Sequence, residues 1–144
     1  MPSVNDILLH KGTSVATVSG NATVLSAASQ MNKHRIGALV VVDGEEVVGI
    51  FTERDILNRV VAANRDPAAT LVAEVMTSPI AFCHESTTLA ECQQVMTQKR
   101  IRHLPVMEDG QLRGIISTGD ILAGKVAIQQ TTIEYLNEYL YGPT

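Results

Sequence analysis

Two short stretches of the chain place a hydroxyl and a carboxylate three residues apart, directly after two apolar residues. They read GIFTERD at Gly49–Asp55 and GIISTGD at Gly114–Asp120. A strand that runs into a helix at such a point presents free backbone N–H groups and the positive end of the helix dipole, which suits a phosphate. The hydroxyl adds a donor, and the carboxylate can accept hydrogen bonds from two neighbouring hydroxyls, as on a ribose. The pattern therefore indicates a site for a sugar and a phosphate.

The same residues have a simpler interpretation. Thr52 with Asp55, and Ser117 with Asp120, resemble a capping box at the start of a helix, with Asp in place of Glu. The glycine that opens each stretch would let another backbone or a flat ring approach closely. The residues alone leave both interpretations open.

Both stretches belong to one internal repeat. An offset of 65 residues relates Gly49 to Gly114, and it also relates Met31 to Met96, Arg35 to Arg100, Ile36 to Ile101, Leu39 to Leu104, Ile56 to Ile121 and Leu57 to Leu122. Such self-similarity indicates two copies of one supersecondary unit. We predict an α/β (α+β) fold of two β-α-β-β-α repeats.

Apolar periodicity and turn residues give the expected elements. In the first copy these are a helical turn over Val4–Leu9 capped by Asn5 or Asp6, a strand over Val15–Val18, a helix from Thr23, hairpin strands over Ala38–Val42 and Val47–Phe51, and a helix from Glu53 to about Ala63 with Ile56, Leu57, Val60 and Val61 on one side. In the second copy they are Val72–Met76, a strand over Ile80–Cys83, a helix marked by Leu89, Cys92, Val95 and Met96, a hairpin over Leu104–Met107 and Leu112–Ile116, and a helix from Thr118 to about Gln129.

The repeat also sets the predicted domain organisation. Residues 1–65 form repeat 1 with the N-terminal helical turn, residues 66–130 form repeat 2, and residues 131–144 form a C-terminal tail helix. The tail holds all three tyrosines of the chain. It either folds back on its own domain or forms an oligomer contact, where Tyr is enriched.

Composition limits the classes of function. The chain is 45% hydrophobic and 18% charged, as expected for a soluble globular protein. Its net charge of −4 does not favour nucleic acid as a partner. The absence of a long apolar run and of a signal peptide predicts a cytoplasmic protein without membrane contact. Cys83 and Cys92 indicate buried thiols, and no spacing indicates a metal site.

The doubled unit resembles a tandem pair of cystathionine-β-synthase-type (CBS) domains, known as a Bateman module. The resemblance covers residues from about Val4 to Gln129 and rests on GIFTERDIL, GIISTGDIL, RIGALVVVD, RIRHLPVME and LVAEVMTSPI. It implies a pseudo-two-fold pair with two clefts between the repeats. In the family such clefts bind AMP, ATP, NAD or S-adenosylmethionine, and we expect AMP or NAD here.

The resemblance also implies roles for particular residues. The motif Asp would hold the ribose hydroxyls, the Ser or Thr would lie near ribose and phosphate, and strand backbone with apolar side chains would hold adenine. Asp55 and Asp120 would serve separate clefts, and Arg102 and His103 would reach phosphates in the Asp55 cleft, although Arg102 could equally be a surface charge. The candidate nucleotide-binding residues are Thr17, Ile36, Gly37, Ala38, Thr52, Glu53, Arg54, Asp55, Ile80, Arg102, His103, Leu104, Pro105, Ser117, Thr118, Gly119 and Asp120.

No catalytic constellation is evident, and we predict that the chain is not an enzyme. The favoured function is a free-standing regulatory module that senses adenine nucleotides, forms a homodimer and signals to a partner protein of unknown identity. The alternative is a constitutive dimeric interaction scaffold whose motifs are only helix caps. A nucleotide-hydrolysing enzyme is a third hypothesis.

Overall fold

A computed structural model describes residues 2–126, so the predicted tail over residues 131–144 lies outside the described residues. The elements are α1 (Val4–Lys11), β1 (Thr17–Ser19), α2 (Val24–His34), β2 (Ala38–Asp43), β3 (Glu46–Thr52), α3 (Glu53–Asp55) continued by a π-helix (Ile56–Val61), α4 (Val72–Val75), α5 (Leu89–Lys99), β4 (His103–Glu108), β5 (Gln111–Ser117) and α6 (residues 118–126). Within this part of the chain, no helix has the length and apolar character needed to cross a bilayer.

The two repeats build matching hairpins. In repeat 1, β1 pairs in parallel with β2, and β2 pairs with β3 in antiparallel fashion. In repeat 2, β4 and β5 pair in the same register, so that Leu104 faces Ile116 as Leu39 faces Phe51. The predicted α/β fold of two related units, packed as a pseudo-two-fold pair, is confirmed.

Repeat 2 lacks the full third strand that the sequence suggested over Ile80–Cys83. Only Cys83 pairs with β4, through a single parallel bridge. In repeat 1 the Val40 N–H donates to the Ala16 carbonyl at 3.1 Å, which helps to hold β1 against β2. Pro105 occupies the position of Val40 and has no N–H to donate, so the ladder shortens at this point.

Helix α1 begins at Val4, where the predicted helical turn begins, but its cap residue differs from the predicted one. Its N-cap is Ser3 instead of Asn5 or Asp6. Asp6 is the third helical residue, and its Oδ2 accepts a hydrogen bond from the Ser3 backbone N–H at 2.8 Å. The expectation was wrong because it placed the acidic residue at the cap, whereas a capping box places it three residues later.

The short helices α1 and α4 are exchanged between the repeats. Val4, Ile7 and Leu8 of α1 are buried in the hydrophobic core of repeat 2. Val72 and Val75 of α4 are buried in the core of repeat 1. The predicted division of the chain at residues 65 and 66 therefore separates each short helix from the core that it completes.

The helix after the first motif buries a narrower face than predicted. Ile56 is half-buried and Val60 is buried, but Leu57 and Val61 are 60% and 63% exposed. The segment is a π-helix with i→i+5 hydrogen bonds, such as that from the Ala62 N–H to the Leu57 carbonyl. Leu57 and Val61 therefore lie on the protein surface, next to the side of the helix that is buried.

Candidate functional site

Both motifs form helix caps. The Thr52 N–H donates to Asp55 Oδ2 at 3.0 Å, and the Asp55 N–H donates to Thr52 Oγ1 at 3.3 Å. In repeat 2 the Ser117 N–H donates to Asp120 Oδ2 at 2.8 Å, and the Asp120 N–H donates to Ser117 Oγ at 3.1 Å. The capping interpretation therefore describes both copies, and any ligand would have to share these carboxylates with the caps.

Asp55 also ties the motif to the segment that follows α4. Its Oδ1 accepts a hydrogen bond from Thr77 Oγ1 at 3.0 Å and lies 3.7 Å from Arg59 Nε. Arg59 in turn donates to the Met76 carbonyl at 2.9 Å. Only 6% of Asp55 is exposed, and these contacts compensate the burial of its charge.

The close approach predicted at the motif glycines is made by the protein itself. A Cβ atom at Gly49 would lie 2.6 Å from Met76 Sδ and 3.0 Å from the Thr77 carbonyl oxygen. A Cβ atom at Gly114 would lie 2.7 Å from Leu8 Cδ2. Each glycine thus makes room for one of the exchanged segments, α4 or α1.

A cleft of about 1150 Å³ opens between the two repeats beside Asp55, and we call it the Asp55 cleft. Eight of the candidate residues line it, namely Gly37, Thr52, Glu53, Arg54, Asp55, Ile80, Arg102 and His103. The sequence analysis therefore identified lining residues from both repeats. Their roles toward a ligand stay predictions.

The other nine candidates do not line this cleft. Thr17 is exposed on β1, Ile36 is half-buried, and Ala38, Leu104 and Pro105 are buried in the strands. Thr118 borders a separate hollow of about 240 Å³ between α5 and α6. Ser117, Gly119 and Asp120 lie at the start of α6.

Positive charge surrounds the Asp55 cleft. Arg54 and Arg59 come from repeat 1, whereas Lys99, Arg100 and Arg102 come from repeat 2. Glu53 and Asp55 are the two carboxylates in the lining, which leaves a surplus of three positive charges in a chain of net charge −4. The cleft therefore attracts anions, although the protein as a whole is acidic.

Ten of the residues that line the Asp55 cleft were not among the candidates, and Arg59, Thr77, Lys99 and Arg100 are among these ten. Arg59 had a signal in the sequence, because it lies four residues after Asp55 on the same side of a helix. Arg100 ends α5 in the left-handed conformation with φ of 54°, and its carbonyl accepts a hydrogen bond from Arg54 at 2.7 Å. That bond directly joins the two repeats.

His103 lies where the repeats meet. A Cβ atom at Gly37 would be 2.7 Å from Glu53 Oε1 and 3.6 Å from His103 Cε1, so the absent side chain makes room for the Glu53 carboxylate, and the imidazole lies at ordinary contact distance. Burial, followed by the positive charge of Lys11, lowers the pKa of His103, while Glu53 and Asp120 act against the change. The neutral imidazole is therefore favoured at neutral pH.

The surroundings of Asp120 differ from those of Asp55. Lys11 Nζ lies 2.6 Å from Asp120 Oδ2 and donates to the Ile115 carbonyl at 2.9 Å. Burial acts to raise the pKa of Asp120, but hydrogen bonds from Lys11 and from Ser117 lower it overall. The two motif carboxylates therefore have different polar partners, a hydroxyl and an arginine at one and a lysine at the other.

Comparison with known proteins gives consistent matches over both repeats. A family profile of the CBS domain matches residues 4–62 and 72–126. The CBS domain-containing protein YhcV of Bacillus subtilis is 38% identical over 127 residues, which is 88% of this chain and 88% of that protein. A solved structure of a candidate signal-transduction protein with CBS domains from Burkholderia ambifaria has a TM-score of 0.84 and 41% identity, covering 87% of this chain and 94% of that one. A hexameric CBS-CP12 protein from bloom-forming cyanobacteria has a TM-score of 0.79 and 30% identity, covering 90% and 74% of the two chains.

Proposed function

The chain belongs to the CBS-domain family as a tandem pair of CBS domains, and from that premise we propose that it is a regulatory module that binds an adenosine nucleotide in the Asp55 cleft. The observation that supports this most is the composition of the cleft. A helix N-terminus with Thr52 and Asp55 comes from repeat 1, and it faces Arg102 of repeat 2. Ligand binding would change how the repeats contact each other, and a regulated partner protein would detect that change.

The parts of a nucleotide match the parts of the cleft. Ribose hydroxyls would donate to the Asp55 carboxylate, and the Thr52 hydroxyl would lie near the ribose and the first phosphate. Ile50 and Ile80 offer apolar surface for adenine. The phosphates would extend toward Arg102, where charge-assisted hydrogen bonds are stronger than neutral ones.

The surplus of positive charge favours anionic ligands. AMP, ATP and NAD carry phosphate, whereas the sulfonium of S-adenosylmethionine adds a positive charge that the arginines would repel. We therefore rank phosphorylated nucleotides above S-adenosylmethionine, and ligands with more phosphate above AMP.

Two measurements test the nucleotide proposal. The first is mass spectrometry of small molecules released from the purified protein. The second is calorimetric titration with AMP, ATP, NAD and S-adenosylmethionine, together with the thermal midpoint at each concentration. A ligand that binds only the native state raises the midpoint by mass action. If none of the four binds or changes the midpoint at millimolar concentration, the proposal is wrong.

The capping boxes give specific support to the scaffold alternative. Thr52 and Asp55 satisfy each other without a ligand, as do Ser117 and Asp120. In a pure scaffold these bonds would be the only role of the motifs, and substitution would change stability alone. The same titrations therefore separate a sensor from a scaffold.

Self-association forms a second part of the proposal. Leu57 and Val61 are exposed on repeat 1, and their counterparts at the offset of 65, Leu122 and Val126, are 64% and 54% exposed on α6. An apolar surface that repeats about a pseudo-two-fold axis can pair with itself in a second copy. Self-association is known in this family, since the CBS-CP12 homologue is hexameric.

We therefore expect a homodimer through this surface, which we call the paired-helix face. Leu57→Glu should shift the protein to monomer in sedimentation at micromolar concentration, because a buried unpaired charge disfavours the contact. Leu9→Glu is the matched control, since Leu9 is 79% exposed and lies on α1, outside the paired-helix face. A dimer that persists in Leu57→Glu would assign the contact to another surface.

A further inference from the structure

We propose that Lys11 closes the second nucleotide cleft, so that each chain binds one nucleotide, beside Asp55, and none beside Asp120. This inference rests on the proposed nucleotide function and adds its stoichiometry. It makes Lys11 the residue that distinguishes two sites whose motifs share the hydroxyl and the carboxylate.

The contacts of Lys11 place a cation on the carboxylate that a ribose would need. Its Nζ lies 2.6 Å from Asp120 Oδ2 and 2.9 Å from the carbonyl oxygen of Ile115. A ribose hydroxyl beside Asp120 would compete with an ammonium for the same oxygen. At the first site Asp55 Oδ1 accepts a hydrogen bond from the neutral hydroxyl of Thr77, and the cation beside it, Arg59 Nε, lies farther away at 3.7 Å.

The difference comes from the length of the exchanged helices. Helix α4 has four residues, whereas α1 has eight. The additional turn extends α1 beyond its core residues and ends at Lys11, next to Asp120. Leu8 holds the helix in place, because it is buried against the backbone of Gly114.

A nucleotide in the second cleft would have to displace this ion pair. The two side chains are 32% and 22% exposed, so water screens their attraction in part. The loss of one charge-assisted hydrogen bond corresponds to an affinity about 10- to 100-fold weaker than that of an unobstructed site. At ligand concentrations that saturate the Asp55 cleft, the second cleft would remain empty.

Calorimetric titration of the full chain with AMP tests this directly. The wild type should bind one AMP per chain, and Lys11→Met should bind two, since methionine keeps the apolar stem and removes the cation. Lys33→Met is the matched control, because Lys33 is also an exposed lysine in the last turn of a helix. It should bind one. Adding Asp120→Asn to Lys11→Met should return the count to one.

Each outcome decides between the two proposals. Two sites in the wild type, or one site in Lys11→Met, would overturn the role of Lys11 and leave the nucleotide function intact. No binding by the wild type or by Lys11→Met would overturn the nucleotide function together with this inference. Far-UV circular dichroism shows whether each variant is folded. If Lys11→Met is not folded, Lys11→Gln provides a polar, uncharged replacement.

Discussion

Replacement of Asp55 by alanine should cost both stability and nucleotide affinity. The variant removes the acceptor of the Thr52 N–H, which is one half of the capping box, and helix caps contribute about 0.5–2 kcal/mol. The variant also leaves the Thr77 hydroxyl without its partner in a part-buried position, which costs about 1–3 kcal/mol. Because the two effects overlap, we expect the free energy of unfolding to fall by about 2–4 kcal/mol.

Asp120→Ala is the matched variant at the equivalent position. It also removes one half of a capping box, the acceptor of the Ser117 N–H, but the other partner that loses its contact is Lys11, which is 32% exposed and becomes hydrated. Partly exposed ion pairs contribute about 0.2–1 kcal/mol. The free energy of unfolding should therefore fall by about 1–2 kcal/mol, less than for Asp55→Ala.

The assay is urea unfolding followed by far-UV circular dichroism, because the chain has no tryptophan to report by fluorescence. Titration of both variants with AMP then separates the roles. Asp55→Ala should weaken AMP binding by about 1.5–3 kcal/mol, the range for hydrogen bonds to a charged group. Asp120→Ala should leave it unchanged. Equal losses of stability in the two variants would refute our account of the surroundings of Asp55 and Asp120. An unchanged affinity for AMP in Asp55→Ala would show that Asp55 only caps the helix.

Three further predictions follow from single contacts. Arg102→Ala should weaken the binding of ATP by about tenfold and the binding of AMP by less, as measured by titration. Equal losses of affinity for the two nucleotides would show that Arg102 is only a surface charge. Gly114→Ala should destabilise the fold by about 1–3 kcal/mol in urea unfolding, since its Cβ would meet Leu8, whereas Gly119→Ala has only an ordinary contact at 3.5 Å and should have little effect. The folded state lowers the pKa of His103 below 6.5, so the unfolded state binds more protons below that pH and stability decreases as the pH falls from about 7 to 5. His103→Gln should reduce that decrease.

The fold was predictable because its strongest signal is an internal repeat. The hairpins, the longer helices and the motifs appear twice at the offset of 65, and the two copies support each other. The missing strand of repeat 2 was mispredicted because it depends on its neighbour. Whether residues 80–83 form a strand is decided by the missing N–H of Pro105, which lies on the strand opposite. Local apolar residues carry no information on that partner.

The motif residues of the candidate site were predictable from the sequence, but the prediction of the residues around them was incomplete. The hydroxyl and the carboxylate of each cap are three residues apart, so the sequence shows them together. Thr77 lies 22 residues from Asp55, and Lys11 lies 109 residues from Asp120. Contacts at such separations depend on the path of the chain, and here they depend on the exchange of α1 and α4.

That exchange has a consequence for the origin of the chain. A gene encoding one repeat alone would yield a protein whose short helix completes the core of a neighbour and not its own. Such a protein would be stable only as a dimer in which two molecules exchange their first helices. Duplication and fusion of the gene would join the two molecules through residues such as 62–70, and would replace a concentration-dependent association by an intramolecular one. In a fused chain the two copies can diverge, so a longer first helix can change one cleft without changing the other.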